Sequence, residues 1–263
     1  MVELLHNSQR RSPDEYAIKV DLLSKHFRIP KERKHTTYDH LVSLLPGRDT
    51  AYDEFWALKD VSFSVQKGET FGVIGANGSG KSTLLKILAG VLYPDSGTVD
   101  VNGKIAPFLE LGVGFQPDLS ARENIYLYGS IMGLSKKSIA TRYDEILDFS
   151  DLRRFEHMRL KNFSSGMTIR LAFATAIQTD PDILLVDEVF AVGDEAFQRK
   201  CTEKIEEIKR AGKTIVYVSH ALESVRELCS RCLALDHGRI RSLGETNTVI
   251  EDYLAISASG SRV

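Results

Sequence analysis

With 263 residues, 43% of them hydrophobic and 27% charged, the chain has the balance of a globular protein large enough to bury one extended core. Its net charge of −2 lacks the basic surplus of a general nucleic-acid binder. No apolar run approaches the roughly 18 residues of a membrane span, so any service to a membrane passes through a partner.

Residues 1–15 contain neither the apolar segment nor the cleavage pattern of a secretory signal and read as a flexible N-terminal segment. Residues 16–29, YAIKVDLLSKHFRI, read as a strand and turn. After a basic loop, Tyr38, Leu41, Val42 and Leu45 fall at helical spacing until Pro46 and Gly47 end the pattern. This inserted helix, residues 36–46, is too short to stand alone. It is either a flap on the domain or an amphipathic element meeting a membrane or a membrane subunit. Residues 55–65 alternate as a second strand, and a turn at 66–69 leads into the apolar run 70–75.

That run delivers the segment around which the chain is organised. Gly75, Ala76, Asn77, Gly78, Ser79, Gly80, Lys81, Ser82 and Thr83 spell G-x-x-x-x-G-K-S-T between a buried strand and a helix, the context of a phosphate-binding loop. A glycine-rich turn can fold its N–H groups around a polyphosphate while the next helix presents its unpaired N–H groups and positive end to the same anion. Lys81 is placed to reach β- and γ-phosphates as a point charge, and Ser82 to set a hydroxyl on Mg²⁺.

Downstream, a turn at 93–97 precedes strand-like residues 98–108, and the stretch 120–155 has helical periodicity, clearest at 121–132 and 138–149. Another helix is expected at 165–179. Residues 182–187 form a short apolar run ending in acid, the pattern of a fully buried parallel strand. Helix 195–211, strand 214–219, helix 221–228 and strand 232–236 alternate as βα units, so the class is α/β with a parallel sheet. Residues 257–263 read as a polar tail. Asp187 ends its strand where it can hold Mg²⁺, and Glu188 is free to orient and polarise an attacking water. Adjacent acids also fit a helix N-cap. The three cysteines, Cys201, Cys229 and Cys232, are too few for a disulfide framework and favour a reducing, cytosolic compartment. Cys229 and Cys232, spaced C-x-x-C, are either half of a metal site with no second pair or packed thiols.

The ordered set of the 75–83 loop, Gln116, FSSGM at 163–167 followed by Arg170, ILLVDE at 183–188, AVGD at 191–194 and His220 resembles the ATPase subunit of an ABC transporter over nearly the whole chain. The resemblance implies a P-loop NTPase of ABC type in one domain, 16–256. It would have a mostly parallel sheet core, an antiparallel β subdomain and a helical subdomain at about 117–165. It implies that Gln116 senses Mg²⁺ and links to the membrane subunit, that Asp194 closes the D-loop, and that His220 contacts the γ-phosphate beside the catalytic Glu188. Ser164, Ser165, Gly166 and Met167 would form the signature that caps nucleotide held by another protomer. They depart from the family's LSGGQ, with Ser165 for the first glycine and Met167 for glutamine. A hydroxyl, an unobstructed N–H and a helix start still suit an anion. The resemblance further implies a homodimer sharing two ATP sites, with a dimeric integral permease, peripheral on the cytoplasmic face of the cytoplasmic membrane. For the adenine, the family's spacing lands on Tyr52, with Phe27 and Trp56 as alternatives.

Residues 55–65, 108–129, 163–173 and 186–201 carry a narrower resemblance, to the ATPases that export bacterial cell-surface polysaccharides such as O-antigen and teichoic acid. It implies a lipid-linked polysaccharide as cargo and no nucleic acid. An ABC ATPase serving a different transporter, or a soluble one acting in DNA repair or translation, is the rival reading. The long coiled coils of repair members and the paired ATPase units of translation members have no counterpart in this sequence.

Overall fold

The computed structural model describes residues 16–30, 52–108, 111–187 and 194–260. The inserted helix expected at 36–46, the N-terminal segment and Glu188 lie outside them.

Two sheets organise the chain. An antiparallel sheet has the order β2-β1-β4, from β1 (Tyr16–Pro30), β2 (Tyr52–Gln66) and β4 (Ser96–Val101). A six-stranded sheet has the order β5-β6-β7-β3-β8-β9. Its strands are β3 (Thr70–Gly75), β5 (Ile105–Phe108), β6 (Ile183–Asp187), β7 (Thr214–Val218), β8 (Arg231–Asp236) and β9 (Arg239–Glu245). Strands β5, β6, β7, β3 and β8 run parallel, and β9 turns back antiparallel on β8. The helices are α1 (Lys81–Leu88), α2 (Ala121–Ile131), α3 (Lys136–Ser150), α4 (Ser165–Ala176), α5 (Glu195–Arg210), α6 (Leu222–Leu228) and α7 (Thr246–Gly260).

The expected strand at 98–108 is two strands in two different sheets. Between them Gly103 takes φ +139, and the Asp182 carboxylate accepts from the Lys104 N–H at 2.9 Å while Asp182 donates its own N–H to the Lys104 carbonyl at 3.0 Å. A Cβ on Gly103 would lie 2.8 Å from the Asp182 Cβ. The crossing from one sheet to the other therefore depends on glycine there. Strand β9 and helix α7 add an edge and a final helix that the periodicity did not suggest. Residues 257–260, read as tail, continue α7.

The apolar runs of the parallel strands split by the strand period of two. Phe71 and Val73, Leu185, Val216 and Val218, Leu233 and Leu235 face one side, against α1 and the antiparallel sheet. Ile74, Leu184 and Val186, Ile215 and Tyr217, Cys232 and Ala234 face the other, against α4, α5, α6 and α7. A third, smaller core lies among the helices, built from Ile125 of α2, Ile139 and Leu147 of α3, and Leu171 and Ala174 of α4. Helix α4 thus belongs to two cores at once, since its Ala172 and Phe173 pack on the sheet side.

Phe173 is the hinge of that junction. Its ring stands 5.4 Å from Phe108 of β5, 5.9 Å from Phe149 of α3 and 6.1 Å from Phe197 of α5, mostly edge-on. Phe173→Ala removes the one ring common to these contacts and should lower stability by about 3–5 kcal/mol, read as a fall in the urea midpoint. A change below about 1 kcal/mol would mean the cluster does not join the layers.

Candidate functional site

The strand order decides where the singled-out residues go. At the carboxyl edge of the parallel sheet, β5 leads on towards Gln116, β6 ends in Asp187, β7 runs into Ser219 and His220, and β3 ends at Gly75. These four strands are adjacent, so one edge collects the phosphate-binding loop, Asp187, His220 and the segment that carries Gln116. The crevice beyond the strand carboxyl ends is where open α/β sheets bind ligands.

The loop is held from outside by backbone. Gly238, in the β8–β9 turn, donates its N–H to the Ser79 carbonyl at 3.0 Å, and Lys59 of β2 donates to the Gly238 carbonyl at 2.8 Å. Gly75 and Gly80 have φ of +153 and +109. A Cβ at Gly75 would lie 2.4 Å from the Leu235 carbonyl oxygen, and one at Gly80 would lie 2.4 Å from that of Ala57. Gly78 also has positive φ, +79, but a Cβ there would meet nothing within 4 Å. The three glycines thus serve different ends: two allow close approach of backbone to backbone, and one only the turn.

Lys81 is buried, and its Nζ donates to the carbonyls of Gly75 at 2.8 Å and Ala76 at 3.1 Å, so the ammonium lies across the loop. Helix α1 starts at Lys81 with no side-chain cap, leaving its first N–H groups without a side-chain acceptor, and Ser82 is exposed in this first turn. The Ser79 hydroxyl is buried and has no hydrogen-bond partner among the described residues. N–H groups at a helix start that no side chain caps, an orphaned hydroxyl and an ammonium around one turn are the donor set of an anion site.

Gln116 is exposed, but its backbone is fixed. Asn124 of α2, fully buried, accepts from the Gln116 N–H at 2.7 Å and donates to the Gln116 carbonyl at 3.0 Å. Sequence reasoning passed over Asn124, although it is the polar member of the apolar stripe Ala121, Ile125 and Tyr128, a pattern that signals a buried hydrogen-bonding role.

Ser164 is the N-cap of α4, and its hydroxyl accepts from the Met167 N–H at 3.2 Å. Ser165, Gly166 and Met167 form the first turn. These residues line a 660 Å³ cleft with Asp151, Arg154, Phe155, Arg170 and Asp194. No residue of the 75–83 loop is among those lining this cleft. Asp194 caps α5 through the Phe197 N–H at 2.9 Å, and this hydrogen bond, reinforced by Arg170, holds its carboxyl below the usual carboxylate range.

The three aromatics stand on the two-stranded arm formed where β1 and β2 run past β4. Phe27 pairs with Phe55 and Trp56 with His26, while Tyr52 pairs with Pro30 at the far end. Trp56 adjoins Ala57, whose carbonyl abuts Gly80; Tyr52 is five residues from Ala57, about 16 Å along a strand. Cys229 and Cys232 are packed thiols, pushed up to about 12 and about 11 by burial. Among the described residues no cluster of metal-ligating side chains exists for them to join.

The sequence matches the family model described as ABC transporter over residues 58–191. It is 46% identical over 199 residues to "ABC transporter protein AbcA" of Aeromonas salmonicida, covering 76% of this chain and 65% of that protein. It is 45% identical over 210 residues to "O-antigen export system ATP-binding protein RfbB" of Klebsiella pneumoniae, covering 80% of this chain and 83% of that one. With "Teichoic acids export ATP-binding protein TagH" of Listeria innocua it shares 40% identity over 234 residues, 89% of this chain and 70% of the other. In fold it matches a dimeric ATP-binding cassette in a post-hydrolysis state bound to ADP and Pi, with TM-score 0.69, 23% identity, and 87% and 98% of the two chains covered.

The glycine geometry makes a differential prediction. Gly80→Ala combines positive φ with a backbone clash and should cost more than about 2 kcal/mol of stability, whereas Gly78→Ala should cost about 1 kcal/mol. Equal urea midpoints for the two variants would contradict the packing of the loop against Ala57.

Proposed function

The chain belongs to the ABC transporter family, and from that premise we propose that it binds and hydrolyses ATP to drive export of a lipid-linked cell-surface polysaccharide of O-antigen or teichoic-acid type. The observation that carries the ATPase reading is the convergence of the 75–83 loop, Asp187 and His220 at one sheet edge, on adjacent strands. The cargo rests on the O-antigen and teichoic-acid exporters that the chain resembles at 45% and 40% identity.

In this reading the N–H groups of residues 75–83 and Lys81 hold the phosphates. The Lys81 ammonium leaves the Gly75 and Ala76 carbonyls to do so, a local change needing no movement of the sheet. Mg²⁺, when bound, neutralises charge on the β- and γ-phosphate oxygens. Ser82 and Asp187, with Gln116, offer the hard oxygen donors that such an ion takes. Glu188 polarises the water, and His220 stabilises charge on the γ-phosphate. The arm beside Ala57, with Phe27 and Trp56, supplies the aromatic face for adenine; Tyr52 stands further out.

A second copy completes each site. Because the cleft of Ser164, Ser165, Gly166 and Met167 contains no loop residue, its N–H groups and hydroxyls serve nucleotide held on a partner protomer, head to tail. Among the described residues no helix is long and apolar enough to cross a membrane. The transport path is therefore assigned to a dimeric integral permease, with this chain on the cytoplasmic face.

Lys81→Ala removes the loop's own cation and should weaken MgATP binding by about 10-fold to 100-fold in titration calorimetry, the worth of one charge-assisted contact. Unchanged affinity would sink the loop assignment. In the source cell, Glu188→Gln should strip the glycan from the surface while its lipid-linked form accumulates inside. An unaltered surface with this variant would remove the polysaccharide assignment and leave the ATPase reading to the calorimetry.

A further inference from the structure

Beside Ser164 and its neighbours lies a charge network that the roles proposed above leave unused. Arg170, on α4 and only 19% exposed, donates one guanidinium nitrogen to the Asp194 carboxylate and places another 3.8 Å from Asp151. Lys200 of α5 grips both oxygens of Asp151, at 2.7 and 2.8 Å. The Arg170 guanidinium also lies over the Phe197 ring, 5.0 Å from its centre. Asp151 ends α3 in a left-handed conformation, φ +58, so it sits where the helical subdomain turns back toward the sheet.

Three elements therefore meet at four charges: the end of α3, the middle of α4 and the start of α5. The planar fork of arginine fixes the directions of its N–H donors and lets the group lie over the Phe197 ring while it addresses two carboxylates, a geometry that a rotating ammonium does not fix. Ion pairs this exposed add little to stability, commonly under about 1 kcal/mol each, so stability alone is a poor account of four converging charges. Their common effect is geometric. Asp194 and Ser164, Ser165, Gly166 and Met167 line the same cleft, and Arg170 is the link between them.

We propose that Arg170, backed by Asp151 and Lys200, is a positioning residue that holds Asp194 in register with Ser164, Ser165, Gly166 and Met167, so that the cleft meets the partner protomer's nucleotide as one rigid surface. The inference rests on the ATPase reading and extends it. Arg170 touches no nucleotide in this scheme. Its loss impairs the alignment needed for turnover and leaves the chain's own phosphate loop intact.

The test uses the purified full chain, measuring MgATP affinity by calorimetry, steady-state hydrolysis and thermal unfolding. Arg170→Met keeps the stem over Phe197 and removes the fork; kcat should fall about 10-fold while nucleotide affinity changes less than about 2-fold and Tm falls only slightly. Arg170→Lys should recover part of the loss. Asp151→Asn should lower kcat less, and the double variant should be no worse than Arg170→Met alone, because the two act through one network. A wild-type chain that hydrolyses ATP beside an Arg170→Met variant with unchanged kcat, or additive effects in the double variant, overturns the inference alone. A wild-type chain that does not bind MgATP overturns the functional reading and this inference together.

Discussion

The structure depends on where one buried strand ends. Every residue of β3 is buried, with β7 on one side and β8 on the other, so its last residue emerges mid-sheet with backbone on both flanks. The following turn has no lateral room: at Gly75 and Gly80 the place of a side chain is taken by the carbonyls of Leu235 and Ala57. A side chain at either glycine would push the loop off its seat before it could obstruct a ligand. The antiparallel sheet and the β8–β9 turn, outside the 75–83 segment in sequence, are what shape that turn.

This division explains what could be read from residues alone. Short apolar runs bounded by polar turns marked β3, β6, β7 and β8, because a strand buried on both faces has no polar alternation to confuse it. The split of residues 98–108 was hidden, since both strands are ordinary β sequence and the break is set by Asp182, some eighty residues on. Strand β9 and α7 escaped because β9 has one wet face and only weak alternation, and α7 carries polar residues to its end. At the site, the residue types and order were legible, but their neighbours were not. Ala57 beneath Gly80 acts through its backbone carbonyl, which leaves no motif, and Asn124 holds the Gln116 backbone with a side chain whose sign in the sequence is one polar residue in an apolar stripe.

Helix α4 joins the two halves of the molecule. Its Phe173 packs with the sheet core and its Leu171 and Ala174 with the helical core, while its first turn carries Ser165, Gly166 and Met167. Tyr128 of α2 and Phe149 of α3 also reach the sheet-side core, so α4 shares this joint with both neighbouring helices. Asn124 adds a second tie, joining α2 to the Gln116 segment that follows β5.

On the proposed reading the cleft exists in two states, open in the separate chain and covered by a second copy. In the separate chain Asp151 and Asp194 are both more than half exposed, while Arg170 between them is largely covered. An apolar surface of this kind would associate without nucleotide, and a large exposed apolar patch is an aggregation hazard. Charges avoid that cost, because in water their mutual attraction is weak and screened. When a partner covers the cleft, the same pairs lose water and their interaction strengthens as the local dielectric falls, provided each charge keeps its partner. A network already paired before closure meets that condition, so Arg170 brings no unpaired cation into the covered surface. Its contribution is then felt mainly in the closed state, where the proposed chemistry takes place.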